Sequence, residues 1–284
     1  GTFTPATNTE VASNNFSLTA NSYTDLAGNA GPSETTANYA IDTLLPTISS
    51  VTAGWGTFLN ATEDNSAGTV TVVTSGAENG QTVTVTLNST NYTGTVSDNS
   101  TSVTVAASGL QALNDGDNYT LTTNVSDAAG NAATVNTGTS FTYDITAPTL
   151  AETTLVPSLT NDNSTQYTFS SSEGGTISVG GNCSSDNNTA VADNMTVSFA
   201  ALEDGTYSNC TITVTDNATN SSSALSVSSF TIDTTAPTLS EEYPVTTLTN
   251  DNPPNYTFSS NDAGTITYGG DCGSSSNDNT SVDS

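Results

Sequence analysis

The chain has 284 residues, with 28 Asp and Glu against no Lys, Arg or His, for a formal charge of −28. Without His it lacks a proton shuttle for neutral pH, and without Lys or Arg it has neither a Schiff-base amine nor a clamp for phosphate or carboxylate. The same balance excludes nucleic acid and anionic membrane surfaces, both of which are bound through cationic side chains.

The carboxylates have no cationic side chain to pair with, so they are solvated, hydrogen-bonded or cation-bound, and their repulsion keeps copies of the chain apart. Trypsin-like proteases find no basic residue to cut after. No apolar run reaches the ~18 residues of a membrane-spanning helix, and no basic segment opens the chain as in a signal peptide. Residue 1 falls in mid-pattern, so a leader is compatible with the sequence upstream. The Thr, Ser, Asn and Gly content would by itself suit a polar linker, but ordered alternation argues against that.

Taken in chain order, the first landmarks are "DLAGN" at Asp25 and "DTLLPTI" at Asp42. Period-two runs follow. "GTVTVVTSG" sends Val70 and Val72 inward, "QTVTVTL" Val83, Val85 and Leu87, "TSVTVAA" Val103 and Val105, and "NYTLTTNVSD" Tyr119, Leu121 and Val125. "DAAGN" at Asp127 and "DITAPTL" at Asp144 come next. Beyond them Met195, Val197 and Phe199, then Ile212 and Val214, then Phe230 and Ile232 alternate in the same way, and the landmarks return as "DNATN" at Asp216 and "DTTAPTL" at Asp233. Each first Asp lies 17 residues before its linker Asp. That spacing predicts a hairpin with a turn at D-x-A-G-N, where Gly28 and Gly130 supply positive φ, and a last strand ending at the linker Asp. The Pro after each linker Asp stiffens the step that follows.

An internal repeat sets the organisation. At an offset of 89, Thr247–Cys272 repeats Ser158–Cys183, with Tyr167 and Phe169 on Tyr256 and Phe258, Ile177 on Ile266, and Gly180–Gly181 on Gly269–Gly270. The units are therefore read as 1–43, the C-terminal half of a repeat; 44–145, a complete repeat; 146–234, a complete repeat with a Cys pair; and 235–284, the N-terminal half of a repeat. About seven short strands per unit, with no amphipathic helix, predict an all-β chain of β-sandwiches. The half-units fit a window on a longer chain. They also fit copies that share a sandwich head to tail, an arrangement that would leave Cys272 unpaired because no Cys precedes Cys183.

The segments "VTVTL", "LNDGDNYTLTTNVSDAAGNAA" and "FTYDITAPTL" resemble the tandem bacterial immunoglobulin-like repeats of very large secreted surface proteins, including adhesins and biofilm-associated proteins. The resemblance covers nearly the whole chain and is specific for the repeat type but weak for function, because such repeats serve as spacers, stalks and fibre modules. It implies tandem immunoglobulin-like sandwiches set end to end, outside the cell or on its surface, and calcium at the junctions. Ca²⁺ takes six to eight oxygen ligands. The resemblance places them near the linker residues Asp42, Asp144 and Asp233, with Asp25, Asp127, Asp216, Asp162 and Asp251 as further candidates. The plainer reading is that these Asp residues make turns and caps. No EF-hand loop or nonapeptide calcium repeat is present.

In an extracellular protein Cys183 and Cys210, 27 residues apart, are expected to form a disulfide; the alternative is two buried thiols. Cys272 repeats Cys183, so its counterpart partner falls beyond Ser284. Sixteen N-x-S/T sequons occur, among them Asn60, Asn88, Asn91, Asn118, Asn163, Asn194 and Asn255, as many arise by chance in so Asn- and Ser-rich a chain. They are glycosylation candidates if the source modifies its surface proteins. Tyr119 and Tyr207 stand where a sandwich carries a tyrosine corner. Trp55 is either an exposed ligand platform or a plug at the end of a sandwich.

Only a carboxylate pair could act as a catalyst here, and no pair stands out, so the chain is read as no enzyme. Lys–Asn cross-links are excluded. The expected role is structural, an extended stalk or a subunit of an extracellular fibre. Its partners are neighbouring repeats or identical subunits, and no part of it inserts into a membrane. The alternative is an adhesion module that binds carbohydrate or protein.

Overall fold

A computed structural model describes residues 2–252, 254–270 and 279–280, the last two by backbone alone. Cys272 lies outside the described residues. Among those residues, helix is confined to a 3-10 turn at Glu63–Asn65 and one helical turn at Ala107–Leu110. Among the described residues no helix is long and apolar enough to cross a membrane.

The architecture is that of tandem immunoglobulin-like β-sandwiches. In the first complete sandwich the antiparallel sheet Ser100–Val105, Gly68–Ser75, Thr47–Ala53 faces a second sheet. That second sheet runs in the order Phe58–Leu59, Asn136–Tyr143, Asn118–Val125, Thr82–Leu87, Thr90–Thr95. The alternation of Val with Thr dictates the packing. Val70, Val72, Val103 and Val105 from one sheet and Val83, Val85, Leu121 and Phe141 from the other are buried between them, and the intervening Thr side chains face outward. Phe58–Leu59 pairs in parallel with the last strand and closes the edge of the sheet.

Trp55 belongs to this core. It is 8% exposed, stacks edge-on against Phe141 at 5.2 Å, and lies so close to Gly68 that a Cβ there would meet the indole at 2.5 Å. It is a plug; the platform reading is corrected, because the ring is enclosed by the two sheets. Tyr119 Oη accepts the Asn114 N–H at 2.7 Å and Tyr207 Oη donates to the Glu203 carbonyl at 3.0 Å, so both hydroxyls anchor to backbone just upstream.

The second complete sandwich repeats the plan with an aromatic core. Tyr167 and Phe169 on the strand Gln166–Ser171 lie in register with Val197 and Met195. Tyr167 stacks on Phe199, and Phe199 on Phe230. The sulfurs of Cys183 and Cys210 are bonded, and both residues are buried. Leu159–Thr160 pairs in parallel with Phe230–Ile232, as Phe58–Leu59 does with its own last strand.

Residues 2–43 and 236–270 form only two-stranded pieces. Glu10–Asn14 pairs with Tyr39–Asp42, Ser17–Leu18 with Glu34–Thr35, and Leu239–Tyr243 with Thr257–Ser260. Large apolar side chains stand open on both, among them Phe16, Leu18, Leu239 and Tyr256.

Candidate metal centre at the step between sandwiches

The turn D-x-A-G-N folds the same way at each occurrence. In "DAAGN", Asp127 Oδ1 accepts the Asn131 N–H and Oδ2 accepts Asn131 Nδ2, both at 2.8 Å. Asp25 holds Asn29 at 2.9 and 2.8 Å, and Asp216 holds Asn220 at 2.9 and 3.0 Å. The fourth position needs positive φ, which Gly28 and Gly130 supply at 93° and 92°. Thr219 takes the same place at φ 72°, an outlier for a β-branched residue.

These turns dock onto the preceding linker. Asn131 Nδ2 donates to the Asp42 carbonyl at 3.3 Å, and Asn220 Nδ2 to the Asp144 carbonyl at 2.9 Å. At the second step Asn60 adds a contact of its own, with Nδ2 donating to the Ala218 carbonyl and to Thr219 Oγ1, each at 2.9 Å. The strained Thr219 therefore supplies a hydroxyl to the neighbouring sandwich, which a Gly there would lack. Asp115 accepts the Ile145 N–H at 2.9 Å and also the Thr146 hydroxyl. Asp204, 89 residues on, takes the Thr234 N–H and hydroxyl at 2.9 and 2.8 Å. Pro46 and Pro148 are buried in their linkers, and Pro237 is exposed.

At this second step three carboxylates converge. Atoms of Asp144, Glu173 and Asp216 lie within 4.8 Å of one another, the one such cluster among the described residues. Burial raises Asp144 above the ordinary carboxylate range, and the charges of Asp216 and Asp115 push the same way, against a Thr146 N–H that lowers it. Burial likewise raises Glu173, with Asp144, Asp216 and Asp115 adding to the effect. Three hard oxygen donors at mutual cost, with no cationic side chain in the chain to relieve them, form a donor set that suits a divalent cation such as Ca²⁺.

The other candidates are placed differently. Asp42 Oδ1 and Asp233 Oδ1 each accept the N–H two residues on, Leu44 and Thr235, at 3.0 and 3.1 Å; Asp144 does the same with Thr146 at 3.2 Å. Asp127 is buried at the first step, where Glu78 Oε2 accepts the Ala128 N–H at 2.8 Å. Asp25 is exposed. Asp162 and Asp251 are exposed in turns of their own, Asp162 Oδ1 accepting the Ser164 N–H at 2.9 Å. Asn60 is corrected as a glycosylation candidate, because its amide is buried and spent on the junction. Asn88, Asn91, Asn118, Asn163, Asn194 and Asn255 are exposed.

Glu173 is the residue that motif reading missed, although a signal was present. The 89-residue offset places it on Asp262, and Glu78 holds the matching loop of the first sandwich. An acid therefore recurs at one point of the unit in three different local sequences.

No family model and no curated protein matches the chain. Solved structures do. One is a Ca²⁺-stabilised adhesin by which an Antarctic bacterium reaches out and binds ice, 25% identical over 79% of this chain and 58% of that one, with a TM-score of 0.36. This chain thus spans under two thirds of that relative. A bacterial immunoglobulin-like domain from the M. primoryensis ice-binding adhesin is 32% identical, covering 35% of this chain and 95% of the domain, TM-score 0.26. Fibronectin(III)-like modules of Clostridium thermocellum CbhA are 13% identical over 64% of this chain and 93% of theirs, TM-score 0.41. The fold is tandem immunoglobulin-like sandwiches. Within that class, the chain is similar to the bacterial immunoglobulin-like repeats of large adhesion proteins.

Proposed function

We propose that this chain is a structural repeat segment of an extracellular or cell-surface protein, either an extended stalk or a subunit of a fibre, with no catalytic role. The observation that carries this reading is the repeated docking of an Asn amide onto the linker carbonyl, Asn131 on Asp42 and Asn220 on Asp144. A domain built to bind a ligand has no need to fix its orientation to the next domain twice by the same device. A spacer does. The enclosure of Trp55 weighs against an adhesion module that uses an exposed aromatic.

Calcium would be held at the second step by Asp144, Glu173 and Asp216, where it would neutralise the clustered charge and tie the linker to the following sandwich. Asp42 and Asp127 with Glu78 would play the same parts at the first step, and Asp233 with Asp262 at the third. Asp25 belongs to a turn of the same kind, whereas Asp162 and Asp251 fit the plainer role of turn residues. The unit boundaries at 43/44, 145/146 and 234/235 follow the linker Asp residues in this reading. Glycans, where the source adds them, would sit on the exposed sequons. The partners are neighbouring repeats or further copies of the chain; a glycan ligand is the second possibility, tested by titration. The experiment that checks the reading is a calorimetric melt in calcium and in EDTA. A higher melting temperature in calcium supports it, and superimposable melts overturn it.

A further inference from the structure

We infer that the strand Thr90–Thr95 of the first complete sandwich is a docking edge, and that it pairs antiparallel with the same strand of a second copy. The inference rests on the part of the proposed function that names copies of the chain as partners, and it fixes where they meet. It lies wholly within one complete sandwich.

The hairpin decides which backbone groups face out. Asn88 and Ser89 form its two-residue turn at φ 47° and 63°, so Leu87 and Thr90 make the closing hydrogen-bonded pair. Tyr92 and Gly94 then turn their N–H and C=O groups toward Val85 and Val83. The bond from the Val96 N–H to the Gln81 carbonyl, at 2.9 Å, keeps the same alternation. Asn91, Thr93 and Thr95 point theirs the other way, where no further strand pairs among the described residues. All three are exposed. The Asn91 side chain lies on the face of the sheet, accepting the Thr86 hydroxyl at 2.7 Å, and leaves the edge clear.

An open edge invites pairing, and folded proteins guard against it with short strands, charge, proline, bulges or a covering loop. The second sandwich is guarded. Its counterpart strand is cut to Thr189–Ala190. The loop that replaces the rest lies along Asp193–Ser198, the edge strand of the other sheet, where Ser185 Oγ donates to the Ser198 carbonyl at 2.8 Å and Asn187 Nδ2 to the Thr196 carbonyl at 3.4 Å. Asp186 between them adds a charge. Thr90–Thr95 has none of these devices. It is six residues long, in unbroken register with Thr82–Leu87, and holds neither proline nor charge.

The charge pattern selects the occupant. Acids are absent from every strand of this sandwich and from the whole run 79–97. A cationic partner would be drawn to the acidic loops and not to this edge. The edge offers backbone groups and Thr hydroxyls, and its complement is a neutral strand of the same kind, which a second copy carries. A two-fold pairing about Thr93 sets Thr93 against its own copy and Asn91 against Thr95. That makes three pairs and about six backbone hydrogen bonds, with no carboxylate facing another. Thr opposite Thr is a contact the chain already makes, Thr168 with Thr196 at 2.9 Å and Thr206 with Thr231 at 3.0 Å. The pairing joins two five-stranded sheets into one.

The test is the sedimentation-equilibrium mass of the chain carrying Cys272→Ser, so that this thiol cannot cross-link copies, across a range of concentrations. EDTA keeps the result separate from calcium, and about 1 M NaCl cuts the Debye length to about 3 Å and screens the acidic loops. The expected mass rises with concentration from 28.7 kDa toward twice that value. Adding Thr93→Asp sets like charges across the two-fold axis. Adding Thr93→Pro removes an outward N–H and none of the bonds to Thr82–Leu87. Both are expected to stay at 28.7 kDa, with unchanged Trp55 fluorescence showing that the sandwich is kept. A parent chain that is monomeric at every concentration overturns the proposal, as does a dimer that persists in either Thr93 variant. Either failure leaves the structural-repeat reading standing on its calcium-dependent melt.

Discussion

Asn220 Nδ2 donates to the backbone carbonyl of Asp144 at 2.9 Å, and the same amide holds the Asp216 carboxylate at 3.0 Å. One side chain thus joins the end of one sandwich to a turn of the next and orients a carboxylate of the acidic cluster. The geometry of the step is therefore written into both neighbours.

Asn60 ties the same step from the other side, and removing its tie should loosen the two sandwiches without unfolding either. Asn60→Asp keeps the oxygen that accepts the Thr62 and Glu63 N–H groups and loses the donor to Ala218 and Thr219. The expected cost is about 1–3 kcal/mol, because a donor is lost and a buried carboxylate oxygen is left facing the Ala218 carbonyl. It should appear in the urea transition of the second sandwich and be absent from the Trp55 signal of the first. Unchanged transitions would remove Asn60 from the junction.

The acids at this step should respond to pH in two opposite ways. Asp144 and Glu173 are raised in the fold. Without a cation, their contribution is present below the ordinary values of 3.8 and 4.5 and is lost as pH rises through the raised ones. Glu173→Gln should therefore raise the melting temperature in EDTA at neutral pH and shrink the gain from calcium. Asp115 and Asp204 are lowered by the hydrogen bonds they accept from the linker. Their contribution is present above 3.8 and is lost as pH falls through the lowered values, so Asp115→Asn should flatten the acid limb of the melting profile.

The disulfide should stabilise one unit alone. Closing a 27-residue separation is worth about 3.5 kcal/mol in the chain-entropy account. Reduction should lower the transition of the second sandwich by roughly that amount and leave the first, followed by the single Trp, where it was. Parallel losses in both would contradict two separate cores.

Tyr143 is a buried hydroxyl with one partner, donating to Asp64 Oδ2 at 2.6 Å. Burial first, then that bond, pushes its pKa from 10.0 up to about 12. Stability from this group is complete below 10.0 and is lost as pH rises through about 12. Tyr143→Phe strands the buried Asp64 carboxylate and should cost about 1–3 kcal/mol, read by Trp55 fluorescence in urea.

The sandwich was legible in the sequence because Val alternates with Thr over whole strands, a pattern that leaves one face for the core. The turn at Asp127 was legible because Gly130 marks its positive φ. The third turn was legible from its 17-residue spacing to Asp233 although Thr219 stands in the Gly position, but the bond that Thr219 Oγ1 accepts from Asn60 was not, because the two lie 159 residues apart. Glu173 was hidden because the residues it joins, Asp144 and Asp216, lie far from it along the chain, and only the fold brings them within 4.8 Å. Asn60 read as an ordinary sequon for the same reason, its partner at Ala218 being 158 residues away.

The most direct test of a cation-locked string is small-angle X-ray scattering from the chain at low concentration in calcium and in EDTA. The account predicts a long, narrow particle in calcium and a shorter, broader distribution of maximum dimension in EDTA, with a smaller difference for Glu173→Gln. Identical scattering in calcium and EDTA would contradict it.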